Sequence, residues 1–338
     1  MHPLRSSFVW ILIALLLAGA AGLALGQGIP TSAFGLAPRL GSGDAMSTRD
    51  LGMGAISSCL YDVQYPNPAF CAIHRTTDVG FRGMQTDFSH GPRVDSGMIH
   101  YEHPLHPGVD GFQITGLDMT SGRGATPLGP SEIVNTDMTD KEIIVDYGRR
   151  LGSSTIAGLS VLGGEQSDVS FATPGGSLQD LKSNAGFGFR VGAAQEWGPG
   201  DYVGVLYSNS QNNIDASGME ELPSGSTRVI YHGDDLNVGA AHHIGSQVVA
   251  AVEFERGTTS RGDYLSGEDV WHFGVEYTPA RQWALRAGAA GGEPTLGIGF
   301  ADSRWQLDYA YLHNLNDADF NAFFGSSETH ALHVTYVF

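Results

Sequence analysis

The run HYEHPLHP places His100, Glu102, His103 and His106 close together. Imidazole nitrogens and carboxylate oxygens are the donors that hold zinc and related ions. On an extended strand, however, His100 and Glu102 share one face while His103 points to the other, and Pro104 and Pro107 mark a turn. They read as interfacial and turn histidines, so no metal is expected. His242 and His243 are adjacent and would face opposite sides of a strand. His232 with Asp234 and Asp235 has the composition of an acid–histidine pair, but beside Gly233 it reads as a solvated loop. The G-x-S-x-G, H-E-x-x-H and P-loop signatures do not occur. No catalytic residue and no cofactor is assigned, and the chain is not expected to be an enzyme.

Two other constellations remain. Cys59 and Cys71 flank the turn at Asn67-Pro68-Ala69. In an oxidising compartment they are a candidate disulfide worth about 3 kcal/mol; two free thiols are the alternative. In VWHFGVEY, Trp271, Phe273, Val275 and Tyr277 lie on one face, with His272, Gly274 and Glu276 on the other. If Thr278–Gln282 turns the chain with Tyr277 opposite Trp283, Arg286 falls opposite Gly274, diagonal to both His272 and Glu276. A charged cluster of His272, Glu276 and Arg286 is therefore expected on the polar face, read as a structural ion pair.

The elements that must hold these residues show in the composition and its rhythm. Of 338 residues, 47 are glycine and 16% are charged, against roughly 25% in an average soluble domain. Lys and Arg number 18 against 36 Asp and Glu, a formal charge of −18. That sign argues against nucleic acid as a partner. Residues 1–26 read as a cleaved export signal: Arg5, then the apolar Phe8–Leu17, then a small-residue end leaving Gln27 first. No later stretch reaches the roughly 18 apolar residues of a membrane helix. An exported soluble protein or a β-barrel is left.

Period-two alternation decides between them. It places strands near 76–88, 95–103, 109–119, 140–150, 153–164, 186–196 and 201–210. A long strand near 227–244 is followed by others near 247–256, 270–277, 283–290, 294–301, 304–312 and 328–338. Short links tend to alternate with long ones; 89–94 and 291–293 are short where a long one is due. Tight turns at one end, long loops at the other and about 14 strands are the layout of an outer-membrane barrel. The last strand carries His330, Leu332, Val334, Tyr336 and the terminal Phe338 on one face. This ending resembles the signal, here Tyr336 and Phe338, read by the barrel-assembly machinery. The expected fold is all-β, a transmembrane antiparallel barrel over 76–338 in a Gram-negative-type outer membrane, with lipid around it. Residues 27–75 do not alternate. A helical run, Leu51 to Tyr61, and the turn at Pro66-Asn67-Pro68 are consistent with a compact hatch, or plug, in the barrel mouth.

The stretch Ser47–Phe70 resembles the amino-terminal signature of FadL-like and PorV/PorQ-like outer-membrane proteins, approximately A-R-x-L-G-M-G-G-A, an Asp, then N-P-A-G. Arg49, Leu51, Gly52, Met53, Gly54 and Ala55 match, followed by Asp62 and Asn67-Pro68-Ala69. Ala55 and Ile56 interrupt the usual Gly-Gly-Ala, and Phe70 replaces the last glycine. Trp305–Phe338 resembles the family's ending; the two ends cover about a fifth of the chain. The resemblance implies a 14-stranded barrel with a hatch made by the motif Met53, Gly54, Asp62, Asn67, Pro68 and Ala69. It also implies passive uptake of a hydrophobic small molecule, long-chain fatty acid-like. The alternative is a PorV-like component of protein secretion or surface attachment, with secretion-system proteins as partners and no small-molecule flux. Inward glycines such as Gly186, Gly188, Gly192, Gly297 and Gly299 are expected to leave room in the lumen.

Overall fold

In the computed structural model the chain is described from residue 47, apart from 63–65, 90–92, 122–123, 130–131, 137–138, 168, 173–177, 216–227, 262–263 and 315–325. The expected signal peptide, residues 1–26, and the first part of the hatch segment, 27–46, lie outside the described residues. So does the side chain of His232.

Fourteen antiparallel strands form one closed barrel. They are β1 (Asp78–Phe88), β2 (Val94–His106), β3 (Asp110–Ser121), β4 (Thr139–Arg150), β5 (Thr155–Ser167), β6 (Leu178–Gly198) and β7 (Asp201–Asp215). The second half is β8 (Arg228–Ile244), β9 (Val248–Arg261), β10 (Tyr264–Ala280), β11 (Trp283–Ala290), β12 (Glu293–Ala301), β13 (Trp305–His313) and β14 (Ser327–Val337). Neighbours in sequence pair throughout, β6 joins β7, and β14 closes on β1 with Asp78 opposite Val337. Closure leaves no strand edge, the condition for spanning a bilayer with sheet.

All 14 strand windows expected from alternation are present. Two expected long loops are shorter because the strands run on. β9 and β10 are separated only by residues 262–263, and β6 has 21 residues, about twice what crosses a bilayer. A short strand, Val169–Ala172, pairs on that extension. The connection from β3 to β4 carries its own hairpin, Gly124–Gly129 with Glu132–Thr136.

The connections at 107–109, 151–154, 199–200, 245–247, 281–282 and 302–304 all lie at one end, with the start of β1 and the end of β14. In barrels of this kind the short-turn end faces the periplasm. At one of these turns Asp302 accepts from the backbone N–H groups of Arg304 and Trp305 at 2.7 and 2.8 Å, which hold its carboxyl below the usual range.

The two faces of each strand separate cleanly. Ile143 is 62% and Leu296 56% exposed, on an outer surface that only an apolar solvent would cover. Trp283 packs on Phe300 and Trp305 on Tyr336, with ring centroids 5.1 and 4.9 Å apart. Tyr336 and Phe338 extend this aromatic border at 5.0 Å. Asp234 accepts from Tyr207 and Asn209.

Candidate functional site: the hatch and its seat

The hatch enters as a short helix, α1 (Thr48–Gly52), capped by Ser47, whose side chain accepts from the backbone N–H of Asp50. It continues to a 3-10 helix, Pro68–Ala72, capped by Asn67 with proline in its first turn. Ser47, Leu51, Met53, Asn67, Phe70 and Cys71 are fully buried. A chain this short has no core of its own; the barrel wall supplies it.

All six expected hatch residues lie at the contact with the wall. Met53 packs with Ile56 and Leu60 against Ala241, Val249 and Ala251, and its carbonyl lies against Gly274. The carbonyl of Gly54 accepts from His272 Nδ1 at 2.7 Å. Asp62 accepts from Gln306 at 3.1 Å. Asn67 accepts from the Ala69 N–H at 3.0 Å and donates to the Ser58 carbonyl at 2.8 Å, while Pro68 rests against Gly148 and Gly158. Ala55, which stands where the resembled signature has glycine, adopts φ 60°, a left-handed conformation that a side chain strains.

The inward glycines do not leave an open lumen as expected. A Cβ on Gly192 would lie 1.9 Å from Asn67 Oδ1, and one on Gly204 1.9 Å from the Ser58 carbonyl oxygen. Gly297 meets the backbone of Gly52, and Gly299 lies under the Arg286 guanidinium and Asp308. Gly188 meets the adjacent wall strand. Gly192, Gly204 and Gly297 form a seat where the hatch approaches the wall, while Gly188 and Gly299 meet other parts of the wall.

The charged cluster is real but its membership changes. Glu276 is directly opposite Arg286, and His272 is opposite Ala290. The expected register moves by two residues because β10 runs on to Ala280 and turns at 281–282, with one extra residue taken up in a bulge between Tyr277 and Ala280. Arg286 Nε donates to Glu276 at 2.7 Å and its Nη1 to Asp308 at 2.5 Å. From the hatch, Arg49 grips both oxygens of Glu276, at 2.8 and 2.9 Å, and donates to the Tyr61 carbonyl at 2.6 Å. His272 instead bridges Gly54 and Glu255. Glu253, fully buried, accepts from the backbone N–H and hydroxyl groups of Ser57 and Ser58. Asp308 and Glu253 were legible as inward-facing from alternation, but their hatch partners were not, since those come from a segment without period.

Cys59 and Cys71 are free and buried, which corrects the candidate bridge. They belong to different packing clusters, Cys59 with Met53 and Ala251, Cys71 with Phe70, Ile156 and Tyr202. Burial pushes both thiols well up, which makes them inert.

Asp50 is fully buried, and its carboxylate oxygens accept no hydrogen bond among the described residues. Burial first, then the charge of Asp62, raises its carboxyl well above the usual range. The docked hatch thus holds this proton more tightly than a released one. Docking is strongest below the ordinary carboxylate range and weakens as pH rises from there towards the docked value. Asp50→Asn is expected to strengthen docking by about 1–3 kcal/mol at alkaline pH and to flatten the pH dependence. Protease sensitivity of the hatch at pH 5 and pH 9 checks this.

An apolar patch on the wall and a cavity of mixed lining adjoin the hatch. On the lumen face, Met84, Met98, Leu117, Met119 and Ile144 form a contiguous patch across β1 to β4, none more than 8% exposed. Met84 also joins Leu51 and Ala55 of the hatch. Their alternation with Ile99, Ile114 and Ile143 is the signal that could have marked them. At the short-turn end a cavity of about 390 Å³ lies between hatch and wall, lined by Leu60, Ile73, Tyr202 and Val249 with Arg75 and Arg150.

A closed 14-strand barrel, short turns at one end and a folded amino-terminal hatch inside define the FadL-like outer-membrane channel fold, and this chain has it. The structure is similar to the toluene transporter TodX of Pseudomonas putida at TM-score 0.60 and 12% identity, covering 87% of this chain and 98% of that one. It is similar to the CymD monoaromatic hydrocarbon channel at TM-score 0.57 and 12% identity, again over 87% and 98%. A FadL homologue of Pseudomonas aeruginosa matches at TM-score 0.55 and 13% identity, over 86% and 98%. No family profile matches the sequence, and no curated protein is detectably similar to it.

Proposed function

We propose that the protein is an outer-membrane channel for passive uptake of hydrophobic small molecules, long-chain fatty acid-like, gated by the hatch. In this reading residues 1–26 direct export and are cleaved, and Tyr336 with Phe338 signals insertion. The observation that carries the proposal is the apolar patch of Met84, Met98, Leu117, Met119 and Ile144, which meets the hatch through Met84, inside a barrel whose other inward residues are largely polar. A lumen built for hydrated solutes has no use for such a lining, whereas methionine adapts to apolar guests of varied shape. The similar structures named as transporters or channels for toluene and monoaromatic hydrocarbons support the same class of solute.

The route is downhill. A solute leaving water for the patch gains roughly 25 cal/mol per Å² of apolar surface buried, enough to concentrate it at the hatch without an energy source. Displacement of the hatch, or an opening in the wall, then releases it. Mass spectrometry of small apolar molecules co-purifying with the folded protein tests this. A stoichiometric fatty acid or hydrocarbon is expected. An empty barrel that retains a secretion-system protein instead would replace the channel with the PorV-like role.

A further inference from the structure

Three donors from three consecutive elements meet where the hatch joins the wall. His74 follows the 3-10 helix, Asp78 opens β1 and Glu102 lies on β2. One donor atom from each lies within 4.8 Å of the others, and all three residues are buried. Asp78 and Glu102 are direct cross-strand partners, and both are 0% exposed. Like charges directly opposed repel, and buried carboxylates are costly unless a cation answers them.

The surroundings supply ligands. His74 Nε2 lies 2.6 Å from Asp78 Oδ2, and its Nδ1 3.3 Å from Glu102 Oε2. His100, the next inward residue on β2, brings Nε2 to 3.2 Å from Asp78 Oδ1. Its Nδ1 is buried with no hydrogen-bond partner among the described residues. Tyr61 Oη, from the hatch, stands 2.8 Å from His74 Nδ1. Read alone, His100 and Glu102 were half a site on one strand face; His74 and Asp78 are what the fold adds.

We propose that His74, Asp78 and Glu102 bind a divalent first-row transition cation, with Zn²⁺ the best match, and that His100 is placed to complete the shell. Nitrogen and carboxylate donors bind zinc at about 2.0–2.2 Å, most often in four-coordinate geometry. Donor atoms around such an ion stand roughly 3.4 Å apart; since a ring gives one ion a single nitrogen, His74 must turn one nitrogen toward both carboxylates, an adjustment within the 4.8 Å spread of the three donor atoms. Any proton shared within the cluster leaves as the ion enters. The bound ion answers the opposed carboxylates and ties the end of the hatch to the first two strands. A hatch that moves would then pivot on this joint while its amino-terminal part leaves the seat.

The test uses the full chain in detergent, stripped with EDTA, dialysed against ZnCl₂ and analysed by elemental mass spectrometry. The same measurement is made on protein refolded with zinc present, so that a closed hatch cannot hide the site. About one zinc per chain is expected, lost in His74→Ala and in the isosteric Glu102→Gln. It is expected to persist in His106→Ala, whose side chain is 76% exposed. Circular dichroism confirms that each variant keeps its barrel. Failure of the wild type to retain zinc in either preparation would overturn the proposal. Zinc retained undiminished by both site variants would overturn it equally, placing the ion on exposed histidines.

Discussion

Arg49→Met is expected to release the hatch while leaving the barrel intact. The guanidinium spans both oxygens of Glu276 and also donates to the Tyr61 carbonyl. Removing one partner of a buried ion pair leaves the other without compensation, at a cost of about 3–5 kcal/mol. Glu276 keeps Arg286, so the loss should fall towards the lower end. Glu276→Gln removes the carboxylate from both Arg49 and Arg286; Arg286 keeps Asp308, but Arg49 is left with the Tyr61 carbonyl, and the change should cost more. The double variant should cost less than the sum, because the two changes share one interaction. Protease cleavage within residues 47–75, measured beside far-UV circular dichroism of the barrel, reads both quantities. An uncleaved hatch in Arg49→Met would show that apolar contacts alone hold it.

Gly158→Ala and Gly204→Ala have the second-largest expected effect. Alanine ordinarily gains about 0.5–1 kcal/mol over glycine within a strand. Here the added Cβ would lie 2.3 Å from the Pro68 carbonyl carbon and 1.9 Å from the Ser58 carbonyl oxygen. Those are backbone atoms and cannot rotate away, so the hatch must shift, at about 1–3 kcal/mol or more each. Gly83→Ala is the control, since nothing lies within 4 Å of the Cβ it would add. Hatch sensitivity to protease should rise in the first two variants and stay unchanged in the third. Equal behaviour of all three would mean that the glycines are not a seat.

The wall was readable from the sequence because a two-sided strand writes its two solvents into alternate residues. Trp283, Leu285, Ala287 and Ala289 mark one such strand without any partner in view, and β11 is found at Trp283–Ala290. Register was less readable. The turn at 281–282 and the bulge at 277–280 are not marked in the residue pattern, and together they move Glu276 from a diagonal to a direct partner of Arg286. The hatch was readable only as a departure from rhythm plus a resembled motif. What its residues do depends on contacts some 200 positions away, as between Arg49 and Glu276 or Ser57 and Glu253. The glycines show the same limit. A missing side chain looks like space in a sequence, and in the barrel that space is where another segment fits.

Uptake itself tests the central claim most directly. Cells lacking their own hydrophobic-solute channel would express the wild type, Arg49→Met and a hatch-deleted form, each verified as folded in the outer membrane. Entry of a labelled long-chain fatty acid, of toluene and of a hydrophilic sugar would then be followed. The expected result is accelerated entry of an apolar probe but not of the sugar with the wild type, and loss of that selectivity when the hatch is released or removed. A folded wild-type barrel that accelerates no apolar probe, or passes sugar equally well, would contradict a hatch-gated hydrophobic channel.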